Sequence, residues 1–135
     1  MIYASRSIVL FQAASILVGV GLGPVFAGDM CGRPGGSPTE LFERVTKAEK
    51  LPEITRDRLF VAFQDRANSI VWTFTLATHP AHPTAVCRRP VQDGKAIQLQ
   101  MNVACSAKEQ TCRALLREFE ALNARMIEDF KRKRQ

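Results

Sequence analysis

Histidine is nearly missing from this sequence: there are two, both inside "THPAHPTAVCRR" at residues 78–89. Tight zinc and copper sites draw on three or four side-chain ligands, so imidazole alone does not supply one here. The four cysteines include no Cys-x-x-Cys pair, the spacing from which structural zinc sites are built. No Gly-x-Ser-x-Gly elbow occurs, and "CGRPGG" at 31–36 has no strand in front of it to make a phosphate loop or a dinucleotide fingerprint. The few aromatics fall on alternating apolar faces and not along a basic stripe, which argues against nucleic acid as a partner. What remains open is a binding surface, a sparse metal site, or a hydrolase whose site carries no recognised motif.

The first residues set the context. Arg6 precedes a largely apolar stretch from Ser7 to Gly23, and Pro24-Val25-Phe26-Ala27 leads into the polar Gly28-Asp29. This is the three-part layout of a secretory signal peptide with cleavage after Ala27. The stretch is shorter than the roughly 20 residues of a spanning helix and is interrupted by Gln12, Ser15 and three glycines. Residues 1–27 are therefore expected to be a cleaved signal peptide and 28–135 a single small exported domain, with no transmembrane segment after cleavage. Loss of Arg6 lowers the formal charge from +6 to +5, leaving a basic protein.

All four cysteines, Cys31, Cys87, Cys105 and Cys112, lie in the exported part. An even number in a short exported chain predicts two disulfides. Ser37-Pro38-Thr39-Glu40 combines a serine cap, proline at the first helical position and a glutamate three residues after the cap. It predicts a short helix over about 38–50, closed by Leu51-Pro52. "RLFVAFQ" at 58–64 predicts a strand. Ile70 to Leu76 predicts another, with Ile70, Trp72, Phe74 and Leu76 on a buried face and Val71, Thr73 and Thr75 on the opposite one. Pro80 and Pro83 hold His79 and His82 in extended geometry before a strand resumes near 84–91. Gln92-Asp93-Gly94-Lys95 is a hairpin turn, and 96–104 alternates again. Ser106 and Glu109 then form a second capping-box pattern. Beyond it Cys112, Leu115, Leu116, Phe119, Leu122, Met126, Ile127 and Phe130 make one apolar stripe, predicting a helix over 107–130, roughly 36 Å long.

The expected fold is α+β: a short N-terminal helix, an antiparallel meander of three or four strands, and a long amphipathic C-terminal helix packed on one face. Cys105 continues the apolar strand face of Leu99, Met101 and Val103, and Cys112 lies on the helix stripe, so parity favours Cys105 with Cys112. Elimination then pairs Cys31 with Cys87; sequence alone leaves the other two pairings open.

Three functional expectations follow. The first is a non-enzymatic periplasmic or secreted binding module, contacting a protein or an anionic envelope component through the 78–89 segment and the neighbouring Arg88, Arg89 and Lys95. The second is metal handling, with His79 and His82 about 9 Å apart at the backbone of a polyproline turn and sharing one copper or zinc ion with carboxylates or water. The third is hydrolysis at an unrecognised site. A Thr- and Gln-rich sheet face opposite the helix could further present a peptide or lipid groove.

Overall fold

A computed structural model describes residues 28–134. The expected signal peptide, residues 1–27, lies outside them. Two short strands, β1 (Asp29–Met30) and β2 (Arg33–Pro34), form a small hairpin, followed by α1 (Pro38–Glu43) and a π-helical turn (Arg44–Ala48). Strands β3 (Glu53–Arg56), β4 (Phe60–Asp65), β5 (Ile70–Thr75), β6 (Thr84–Asp93) and β7 (Ala96–Cys105) come next, then α2 (Glu109–Lys133). Among the described residues the main sheet has five strands, paired antiparallel in chain order from β3 to β7. The fold is α+β with a meander sheet, one strand larger than the upper expectation.

Both faces of the sheet are covered. Register places Phe63, Trp72, Cys87 and Asn102 in one row across β4 to β7, and Val61, Phe74, Ala85 and Ala104 in the next. This face packs against Met30 and Cys31 of the N-terminal hairpin and against Leu41 and Val45. Trp72 is fully buried, with Arg44 over its ring at 5.6 Å. The opposite face carries Val86, Met101 and Val103 and receives Leu115 and Phe119 of α2. Thr73 and Thr75, placed above on the face opposite the buried one, are 6% and 5% exposed. The alternation had the right period, but α2 covers the side expected to lie opposite the helix.

The caps divide in the same way. Ser37 accepts from the Glu40 N–H while Glu40 reaches back to the Ser37 N–H, the capping box predicted for α1. Only one α-helical turn and a half follow before the backbone widens into the π turn, where Glu49 N–H donates to Arg44. The second capping box does not form. Ser106 donates its N–H to the Pro83 carbonyl at 3.0 Å, which prolongs the sheet by a residue, and α2 begins at Glu109 with Lys108 as an N-cap lacking a side-chain bond.

The disulfides are Cys31–Cys87 and Cys105–Cys112. The first fastens the N-terminal hairpin to the centre of the sheet, and the second ties the end of β7 to the start of α2. Such bonds belong to an oxidising compartment. No helix among the described residues is long and apolar enough to cross a membrane.

Candidate functional site

The two histidines lie between β5 and β6, and the fold sends them to opposite layers. His79 lies tilted against Phe60, ring centroids 4.8 Å apart and planes at 53°, and Phe60 in turn meets Phe119 of α2. His82 lines a hollow of about 320 Å³ with Pro38 and Phe42 on the α1 side. Each ring is also tied to backbone. Ala81 N–H donates to His79 Nδ1 at 2.9 Å, so the neutral ring carries its proton on Nε2 and offers no free lone pair. His82 Nδ1 is 2.9 Å from the Thr75 carbonyl, which only accepts, so Nδ1 is the donor and Nε2 is its open position. The rings do not converge, and no group of three or more His, Cys, Asp or Glu able to hold an ion occurs among the described residues.

The hydroxyl nearest a histidine is that of Thr75, 3.2 Å from His82 Nδ1, and it already accepts the Thr84 N–H. Among the described residues no hydrogen bond joins either imidazole to a carboxylate. A hydroxyl, base and acid in relay are therefore not assembled here.

Nor do Arg88, Arg89 and Lys95 form one basic surface. Arg88 and Arg89 are consecutive on β6 and so point to opposite faces. Arg89 donates from Nε to Gln100 at 2.7 Å and lies over the hairpin turn at Gly32, where an added Cβ would come within 2.8 Å of Nη1. Lys95 is exposed at the β6–β7 tip, beside Phe130 and Lys131 of α2. Alternation along β6 divides Arg88 from Arg89, and Lys95 stands apart in the turn beyond the strand, which the linear cluster conceals.

Arg88 has the setting that matters chemically. It faces α2 with its guanidinium carbon 5.3 Å above the Phe119 ring. Among the described residues its hydrogen bonds leave from Nη1 only, to Asn123 Oδ1 and Met126 Sδ at 3.5 Å, long for the oxygen. Nε is buried and has no partner among the described residues. Among the described residues no carboxylate lies within ion-pair distance of it. Burial pushes this guanidinium below its ordinary pKa. Arg33 is the contrast: hydrogen-bonded to Glu49 and 3.1 Å from Asp65, it is held above the ordinary value.

Beside Arg88 the α2 layer stops short of the sheet edge, leaving a groove of about 490 Å³ over β3, β4 and β5. Ala62 and Thr73 line its sheet side; Phe60, Phe119 and Leu122 supply apolar walls. The Thr73 hydroxyl is buried and has no partner among the described residues. Asp57, Glu118 and Arg125 complete the charged lining. Asp57 is committed to its own turn: Oδ1 accepts the N–H groups of Leu59 and Phe60 at 2.7 and 2.8 Å, which holds the carboxyl below its ordinary pKa. Sequence reading named Arg88 but placed it with the wrong neighbours and missed Phe60 and Leu122 as groove residues, while Thr73 lies on the Thr- and Gln-rich sheet face read above as able to present a groove. The usable signal was parity, since Arg88 is two residues from Val86 and pairs with Met101.

Compared with known proteins, the chain matches no family model, no curated protein and no solved structure.

Proposed function

We propose that this chain is a small exported, non-enzymatic binding protein of the periplasm or the secreted fraction, and that it takes its ligand in the groove between α2 and β3–β5. The observation that carries this reading is Arg88, a half-buried cation with no carboxylate partner among the described residues, at the side of a groove with apolar walls. Taking a charge out of water without pairing it works against folding. A partner that supplies the missing negative charge offsets that penalty, and only in the bound state. The sign of Arg88 favours an anion, in line with an anionic envelope component as the partner class.

The scaffold suits the role. The groove volume falls within the roughly 300–1,000 Å³ typical of small-molecule sites, with apolar walls beside charged and hydroxyl groups. Its walls stand on strands and a disulfide-anchored helix, so little ordering remains to be done on binding. The 78–89 segment contributes Arg88; its histidines serve the loop itself.

A fluorescence titration of the exported, oxidised protein with 1-anilinonaphthalene-8-sulfonate, an anion with an apolar body, tests the proposal. Saturable one-to-one binding to the natively folded protein is expected. It should vanish in Ala62→Trp, which fills the groove, provided that near-ultraviolet circular dichroism is unchanged. Absence of binding, or binding indifferent to the filled groove, overturns the reading.

A further inference from the structure

The chemistry of the lining narrows the ligand, on the premise that the groove is a ligand site. We infer that it accepts a monoanionic carboxylate carrying an apolar chain, the carboxylate held by Arg88 and Thr73 and the chain lying along Phe60, Phe119 and Leu122.

Geometry and charge both point to this class. Arg88 comes from β6 and Thr73 from the neighbouring β5; Val71 pairs with Arg88 and Thr73 with Val86, so the two side chains are diagonal neighbours on one sheet face. Both hold a buried polar atom without a partner among the described residues, Nε in one and the hydroxyl in the other. A guanidinium presents its donors in a planar fork that matches the two oxygens of a carboxylate. A hydroxyl beside it can donate to one of those oxygens. The three oxygens of a phosphate dianion ask for more donors than this pair supplies.

The charges around the groove select in the same direction. Arg88 and Arg125 line it together with Asp57 and Glu118, two of each sign. With the lining already balanced, one negative charge paired to Arg88 leaves a small negative excess, and a second would enlarge it next to Asp57 and Glu118. The remaining surface, from Ala62 through Phe60, Phe119 and Leu122, has no use for a polar ligand but favours an alkyl or aryl body.

Displacement of bound 1-anilinonaphthalene-8-sulfonate by decanoate, decan-1-ol and decyl phosphate, all below their aggregation limits, is the test. Decanoate is expected to displace the dye at about one-tenth the concentration required of either competitor, the ratio anticipated for one charge-assisted pairing. Arg88→Met should erase the preference for decanoate over decan-1-ol, read as the ratio of their dissociation constants once the variant's own dye affinity is taken into account. Thr73→Val, nearly the same shape, should weaken decanoate by about tenfold or less and keeps the inference open to refutation if Arg88→Met fails to fold. If the dye binds the groove but decan-1-ol or decyl phosphate competes as well as decanoate, the ligand class is wrong and the groove reading stands. If neither the dye nor any of the three binds, both fail.

Discussion

Arg88 and Asp57 show how one charge can oppose or support the fold according to what surrounds it. Arg88 is desolvated with no compensating carboxylate among the described residues, so replacing it by an apolar side chain of similar length should not harm the fold. Arg88→Met is expected to be between neutral and about 1 kcal/mol more stable than the parent in urea unfolding, while losing its preference for the anion. A clear loss of stability would mean that the contacts to Asn123 and Met126 outweigh the desolvation. Asp57 has the opposite sign. Its folded pKa is depressed by the Leu59 and Phe60 N–H groups. Its contribution is therefore present above the unfolded value of about 3.9 and is lost as pH falls through the lower, folded value. Asp57→Asn should melt at a more nearly constant temperature across acidic pH than the parent; equal slopes below pH 4, near that reference value, would contradict the assignment. Neither role was legible in the sequence, because the partners of both residues are fixed by turn and register geometry.

At the scale of elements, the strongest local signals were the ones that survived. The alternation read over Ile70 to Leu76 and over 96–104 became β5 and β7, and Asp93-Gly94 became the β6–β7 turn, with Gly94 at φ 61°. Strand β3 was missed. All four of its residues are exposed, and a bulge between Glu53 and Thr55 interrupts its ladder, so it buries no face that would leave a periodic trace. Charged residues and a bulge on an edge strand also discourage pairing with other chains. The second capping box failed for a tertiary reason, the engagement of Ser106 with Pro83 across the sheet. Helix α2 consequently starts on Lys108, a cation at the positive end of the helix dipole without a side-chain cap. Lys108→Asp is expected to add about 1 kcal/mol, seen as a rise of about 4 °C or more in Tm for a domain of this size. An unchanged Tm would show that the first turn is held by the adjacent disulfide and has no use for a cap.

Across the whole molecule the two disulfides differ in what they constrain. Cys31–Cys87 spans a sequence separation of 56 and Cys105–Cys112 one of 7. Loop-closure entropy assigns about 4 kcal/mol to the first and about 2.5 kcal/mol to the second. The Cys31→Ala, Cys87→Ala variant should thus be the less stable of the two double variants in denaturant. Cys31 and Cys87 are also fully buried, whereas Cys105 and Cys112 are partly exposed. Limited reduction followed by alkylation and mass analysis should label Cys105 and Cys112 first; labelling in the reverse order would place the hairpin, and not the helix start, as the loosest part of the fold. Strand period, helix stripe, the first capping box and cysteine parity were all readable in the chain because each depends on side chains a few residues apart. Which layer covers Trp72, why Thr73 is dry, and why Arg88 parts from Arg89 to stand beside an open groove depended on where the hairpin, α1 and α2 settle on the two faces of the sheet. Those are contacts between distant segments, and no local period records them.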